Sequence, residues 1–281
     1  MTPASSQAEK AELFRRLHVP GAPFLMPNAW DEGSARLFAS IGCAAIATTS
    51  GGFALTRGRL DGAMTKDEVL AHSKALVDAV DVPVSADLEN CFADDPEGVA
   101  ATITDAVALG LAGGSVEDFS RDPDEPIYEL AHAADRVRAA AEAAHNGPVP
   151  FVLTARAENY LHGQLDLADT IARLQAYQEA GADVLFAPRV VAPSDLRQVL
   201  AVVDVPVSVL ITPNAPPVVE LAEVGVSRLS VGGAIAAASY GYAIEAINEL
   251  QDKGIATYWD EASAARADML AAFDKPPPLG P

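Results

Sequence analysis

The chain has 281 residues, half of them hydrophobic, enough for one large α/β domain or two small ones. It carries 39 Asp and Glu against 19 Lys and Arg, a formal charge of −20, so no basic surface for nucleic acid or anionic membrane can be assembled from it. Two widely spaced cysteines, Cys43 and Cys91, suggest neither a disulfide framework nor a zinc cluster. No apolar stretch reaches the length of a membrane span, and the N-terminus lacks the layout of a secretory signal, so a cytoplasmic enzyme is expected.

In chain order, MTPASSQAEK reads as a disordered start, and residues 1–18 as an N-terminal extension. Apolar runs then recur near 24–29, 44–50, 82–88, 113–117, 150–156, 183–188, 205–211 and 228–232. Two phrases mark them: VDVPVS opens the run at 80 and again at 203, and a helix-ending glycine precedes others, as in FASIGCAAIA, AVALGLAGGSV, QEAGADVLFA and AEVGVSRLSV. Between the runs lie patterns with apolar residues at three and four spacing, such as KDEVLAHSKALVDAV, PEGVAATITDAVAL, IYELAHAADRVRAAAEAA and LADTIARLQAYQEA. Eight strand–helix units predict a single (β/α)8 barrel domain over 1–281, rather than an open doubly wound sheet, because no G-x-G-x-x-G follows the first strand. The segment 254–281 reads as an extra helix, TYWDEASAARADMLAAF, followed by a Pro-rich tail.

In such a barrel, chemistry belongs at the C-terminal ends of the strands. Those ends carry Ser50, Gly51 and Gly52, then Asp87 and Glu89, Glu117 and Asp118, Arg156 and Glu158, Arg189, and Asn214. Asp87 and Glu89 share strand parity, so both are expected to face one side. Carboxylates crowded at one mouth repel, and at least one is pushed to a raised pKa unless a cation sits among them. A single acid at a strand end more often caps the next helix. Acids on two adjacent strands, with an arginine on the next, point instead to a divalent cation that prefers oxygen ligands, Mg2+ with Mn2+ as the alternative.

Arg156 ends an apolar strand and needs an anionic partner. Glu117 or Glu158 could supply it, or the guanidinium could clamp a substrate carboxylate; the two readings are compatible. The Ser50–Gly52 turn offers backbone N–H groups to an oxyanion, though such a turn alone is more often simply a loop. None of the five lysines, Lys10, Lys66, Lys74, Lys253 and Lys275, falls on a strand or strand end, which argues against a Schiff-base aldolase. His18, His72, His132 and His145 read as surface residues of helices, and His162 is the histidine that could reach the mouth.

Together, PNAWDEGSARLFASIGCAAIATTSGG, VPVSADLENCF, GGSVED, VLTARAENYLHG and GADVLFAPR resemble the isocitrate lyase and phosphoenolpyruvate mutase superfamily in order and spacing. The resemblance implies a (β/α)8 barrel with a C-terminal helix swapped between subunits, usually a homotetramer. It also implies Mg2+ and a small 2-oxo or 2-hydroxy carboxylate, with cleavage or rearrangement of a C–C or P–C bond through an enolate. It makes Asp87 the direct metal ligand and puts Glu89 where a second Asp usually stands. Glu117 and Asp61 become acids of the metal's water shell, Arg156 the substrate-carboxylate arginine, and Ser50 and Gly51 the loop receiving that carboxylate. Asn214 is a further candidate substrate contact. Two segments depart from the family. The Lys-Lys-Cys-Gly-His loop of the isocitrate-type lyases is replaced by ENCFADDPEG, leaving Cys91 without flanking cations, and the mutases' Lys and Asn loop by DFSRDPDEPIY, where Arg121 is the only basic residue. The expectation is therefore a carbon–carbon lyase, with a P–C mutase or a non-catalytic metabolite-binding barrel as alternatives.

Overall fold

The computed structural model describes residues 5–274. Eight parallel strands, β1 (Phe24–Met26), β2 (Ile46–Ala47), β3 (Val84–Ala86), β4 (Gly113–Glu117), β5 (Val152–Arg156), β6 (Val184–Phe186), β7 (Val207–Leu210) and β8 (Arg228–Ser230), lie in the order β1-β8-β7-β6-β5-β4-β3-β2. The seam between β1 and β2 is closed just beyond β1, where Asn28 bridges Ala47 and the Ala29 N–H donates to the Ala47 carbonyl at 2.7 Å. Each apolar run expected from the sequence thus contains a strand, and the architecture is the (β/α)8 barrel.

Ten of the helices are α1 (Gln7–Leu17), α2 (Glu32–Ser40), α3 (Ser50–Thr56), α4 (Lys66–Ala79), α5 (Pro96–Ala108), α6 (Leu130–His145), α7 (Leu167–Glu179), α8 (Pro193–Leu200), α9 (Val218–Val224) and α10 (Ala234–Lys253). The last is α11 (Trp259–Phe273). Local chemistry sets their starts. Thr65 and Glu68 form a capping box on α4, and Asp95 with Pro96 opens α5. The helices bury their apolar faces against the outward residues of the strands; Ile103 of α5, Val137 of α6 and Leu174 of α7 share one core with Val116, Leu153 and Leu185. No helix among the described residues is long and apolar enough to cross a membrane.

The start of the chain corrects the sequence reading. From Ser6 onward the segment is ordered by a capping box, in which Ser6 Oγ accepts from the Glu9 N–H and the Glu9 carboxylate accepts from the Ser6 N–H. Far from being an extension, α1 plugs the N-terminal end of the barrel. Its Phe14 and Ala11 are fully buried among Met26, Ala45, Ala112, Val152 and Val184. Gly113 is required there, because a Cβ would stand 2.8 Å from the Phe14 ring and 2.6 Å from the Val152 carbonyl oxygen. Polar residues 5–10 gave no apolar period to announce the plug, which rests on two side chains.

Two histidines expected at the surface are buried. His18 caps α1 with Nδ1 donating to the Phe14 carbonyl oxygen at 2.8 Å, and His72 stacks on Phe53 at 3.9 Å. The extra helix α11 lies with its last turn against α2, where the Phe273 carbonyl accepts from Arg36 at 3.3 Å, while most of α10 and α11 is exposed. The Pro-rich tail from residue 275 lies outside the described residues.

Candidate active site

Strand alternation builds the site. Along β4 the inward residues are Gly113, Ser115 and Glu117, and along β5 they are Val152, Thr154 and Arg156, so the barrel interior passes from apolar through hydroxyl to charged toward its C-terminal mouth. Glu117 and Arg156 are paired in register, and Phe186 of β6 stands next to Arg156, 5.3 Å from its guanidinium. Ser115, Thr154, Arg156 and Phe186 line a cavity of about 280 Å³ that opens at the mouth, with Glu117 set behind Arg156.

Arg156 is the hub. Its Nη1 lies 3.0 Å from Asp87, its Nη2 3.3 Å from Glu117, and its Nε 2.8 Å from Glu158. Burial opposes its charge, but Glu158, Glu117 and Asp87 outweigh that and hold its pKa above the ordinary arginine value. Burial lifts Glu117 well above the usual carboxylate range, with Glu158 and Asp87 adding to the rise and Arg156 resisting it. Glu158 is also raised, again by burial first. Three acids thus share one cation in a nearly dry setting.

Glu89 reaches the same place by a turn rather than by strand parity. β3 ends at Ala86, and Glu89, Cys91 and Phe92 all have positive φ, a tight left-handed turn. The buried Arg136 of α6 holds that turn by donating to the carbonyls of Asn90, Ala93 and Glu117. One Glu89 oxygen pairs with Arg121, while the other, Oε1, is buried without a hydrogen-bond partner. Burial, then the neighbouring Asp87, pushes the Glu89 pKa up to about 7 against the pull of Arg121. Asp61 lies at the rim, where its carboxylate would be 3.1 Å from a Cβ on Gly51, and it adds to the negative potential on Glu89. Among the described residues, no three carboxylate, imidazole or thiol groups surround one point as a closed metal cage.

The remaining candidates divide. Ser50 and Gly51 line the cavity, with the Ser50 N–H donating to Asp87 at 3.0 Å, and they form the first turn of α3 rather than a loop. Gly52 does not line it: a Cβ there would lie 2.5 Å from Thr49 and 3.2 Å from Trp30, so it is a packing glycine. Asn214 is an exposed turn residue away from the cavity, and Arg189 is likewise exposed. Asp118 faces outward and ties β4 to α7, accepting from Arg173 at 3.1 Å and from the Glu158 N–H at 2.7 Å, which fixes Glu158 beneath Arg156. Burial of Cys91 pushes its thiol up to about 12, so it is no thiolate. His162 stacks on Phe119 at 3.8 Å and does not line the cavity.

Two contributors escaped the sequence reading. Asn28 joins three strand ends, donating to the Thr48 carbonyl and accepting from the Val231 and Gly232 N–H groups. Arg228 lines the cavity from β8. Its signal was the one that singled out Arg156, a lone cation inside an apolar run, VSRLSV.

Comparison with known proteins agrees with this geometry. Residues 14–251 match the family described as phosphoenolpyruvate phosphomutase. A candidate lyase/mutase of Burkholderia cenocepacia J2315 superposes with a TM-score of 0.91 and 44% identity, covering 97% of this chain and 99% of that one. An uncharacterized Mycobacterium tuberculosis protein is 34% identical over 78% of this chain and 81% of its own length. The 2-methylisocitrate lyase of Escherichia coli is 32% identical over 54% of this chain and 52% of that enzyme. The chain belongs to the phosphoenolpyruvate phosphomutase family, within the isocitrate lyase and phosphoenolpyruvate mutase superfamily.

Proposed function

We propose that the protein is a Mg2+-dependent carbon–carbon lyase acting on a small 2-oxo or 2-hydroxy carboxylate. The observation that carries this reading is Arg156 at the mouth of the cavity, framed by Asp87, Glu117 and Glu158, with Glu89 alongside. A divalent cation fits the donor set: the acids outnumber the arginines, all donors are hard oxygens, and Glu89 Oε1 is a buried carboxylate oxygen with no partner. The lack of a closed three-ligand cage suits an ion that keeps most of its water and takes one or two carboxylates. Asp87, Glu89 and Glu117 would hold it, directly or through that water, with Asp61 contributing charge from the rim. When bound, Mg2+ supplies Lewis-acid stabilisation of negative charge on the substrate.

The chain's own residues do the rest. Arg156 takes the substrate carboxylate through its Nη1 and Nη2, exchanging contacts with Asp87 and Glu117, while Glu158 keeps Nε and fixes the plane of the guanidinium. Ser50 and Gly51 border the opposite side and orient the carboxylate. Leu161, Phe186 and Pro188 give the cavity an apolar wall that keeps water from the reacting carbon. The loop carrying Arg121 is clasped to Glu89 beside the site. As the C–C bond breaks, its electron pair passes toward the substrate carbonyl, giving an enolate that then takes up a proton.

Assay with oxaloacetate, methylisocitrate and phosphonopyruvate, with and without Mg2+, tests the reading. Keto-acid release that stops on chelation supports it, and ligand-induced thermal stabilisation without turnover supports a binding protein instead. We also read the exposed apolar side chains Ile244, Ile247, Trp259 and Leu270 of α10 and α11 as the surface where copies of this chain meet, with a homotetramer expected in light scattering.

A further inference from the structure

Arg228 is a guanidinium inside the barrel that, among the described residues, pairs with no carboxylate. It is 3% exposed, yet among the described residues its hydrogen-bond partners are all neutral: Ser208 Oγ at 2.9 Å, Thr154 Oγ1 at 3.1 Å, and the Nε2 of His18 at 3.2 Å. His18 accepts there as a neutral ring, because its Nδ1 donates to the Phe14 carbonyl. A buried cation without a counter-charge is costly, and hydroxyls offset only part of that cost. The strain shows in the arginine's own acidity, which burial and the nearby Arg156 bring down to about 9.

The surroundings of Arg228 point to an anion. It lines the same cavity as Arg156, together with Ser85, Ser115, Thr154 and Ser230, so four hydroxyls and one cation face that space beside the apolar Met26 and Ala47. Ser115 Oγ is buried there without a hydrogen-bond partner. Arg156 is more than balanced by its three acids, whereas Arg228 is balanced by none. The cavity therefore has two cationic poles, and its volume of about 280 Å³ accommodates a four- or five-carbon acid spanning them.

We propose that Arg228, with the hydroxyls of Ser115, Thr154 and Ser230, forms a second carboxylate subsite at the barrel floor, so that the substrate is a dicarboxylate held at Arg156 by one end and at Arg228 by the other. This rests on the lyase reading for the first carboxylate, and it names the class of substrate that reading leaves open.

The test is equilibrium binding of 2-oxoglutarate and of 2-oxobutyrate, in Mg2+ and in EDTA at fixed ionic strength, to the wild type, Arg228→Met and Ser115→Ala. The wild type should prefer 2-oxoglutarate by about tenfold or more, the ordinary worth of a charge-assisted pair of hydrogen bonds. Arg228→Met should bring that ratio close to one. Ser115→Ala, which removes a hydroxyl with no present partner and so leaves the fold intact, should lower it severalfold. No preference in the wild type, or a preference that survives both substitutions, overturns the subsite. So does a result in which Arg228→Met loses only chloride or sulfate binding, which would make Arg228 an inorganic-anion site. Failure of the lyase reading is separable: there neither acid would respond to Mg2+, while the dicarboxylate preference would persist in EDTA.

Discussion

Glu117 on β4 stands in register with Arg156 on β5, and its Oε2 lies 3.3 Å from the Arg156 Nη2 at the mouth of the cavity. The pair is the nearest-neighbour step of a wider arrangement in which one guanidinium is shared by acids from three successive β–α junctions. Arg156→Met should lower kcat/KM on the order of 1,000-fold, as loss of a preorganised charge contact does. It should also destabilise the protein by about 3–5 kcal/mol in urea unfolding, because the buried Glu117 and Glu158 and the half-buried Asp87 lose their cation. Arg156→Lys should recover part of the stability but little activity, since a single ammonium cannot meet Asp87, Glu117 and Glu158 together.

Mg2+ should stabilise the folded protein by about 2.7 kcal/mol at 100 times its Kd, read as a rise in Tm that EDTA reverses. Asp87→Asn should abolish that rise. Persistence of the full Mg2+ effect in Asp87→Asn would remove this residue from the metal site.

Cys91→Ala should keep kcat/KM within about threefold of wild type, because the thiol is buried and held protonated. The cost should instead fall on stability, about 1 kcal/mol for the small void left in the core. A larger loss of activity would return Cys91 to the chemistry.

The stability contributed by two buried neutral histidines should fall as the pH drops below 6.5, opposite in sign to the contribution of the raised Glu89, Glu117 and Glu158 carboxyls. Burial and Arg228 push the His18 pKa from 6.5 down to about 3, and burial pushes His72 down to about 4. Between those values the unfolded chain binds protons that the native protein does not, so the stabilisation is complete above 6.5 and is lost progressively on acidification. Each histidine contributes about 1.4 kcal/mol per pH unit over that window. The difference in stability between wild type and His18→Gln, measured by urea titration at several pH values, should shrink as the pH falls below 6.5.

Phe14→Ala should destabilise the barrel by about 3–5 kcal/mol, since the ring is fully buried against Gly113 and its removal leaves a cavity at the plug. Urea unfolding measures this directly, and a cost below about 1 kcal/mol would show that α1 is not the plug.

The barrel was legible in the amino-acid order because its signals are local. Strand runs such as PVPFVLTAR, and helices such as KDEVLAHSKALVDAV with its Thr65 cap, depend on periodicity and on neighbours within a turn. The acids and Arg156 were legible for a related reason: charge at the end of a buried run has few structural uses. Alternation along β5 sends Arg156 inward whatever surrounds it.

The rest depended on contacts between distant segments. Glu89 meets Asp87 through a left-handed turn that Arg136, 47 residues further along, holds by its carbonyls, and no strand parity describes that. Gly52 and Asn214 looked like site residues because they follow strands, but close approach to Trp30 makes the first a spacer and an exposed turn carries the second away. Residues 7–17 carried too few apolar side chains to declare a core element until the open end of the barrel received Phe14. Sequence alone therefore determined the class of fold and the kinds of charge it presents, since both follow from short-range pattern. Only the tertiary structure decided which charges share a cavity and which stands uncompensated, as Arg228 does, because the energy of a buried charge is set by partners the chain brings from far away.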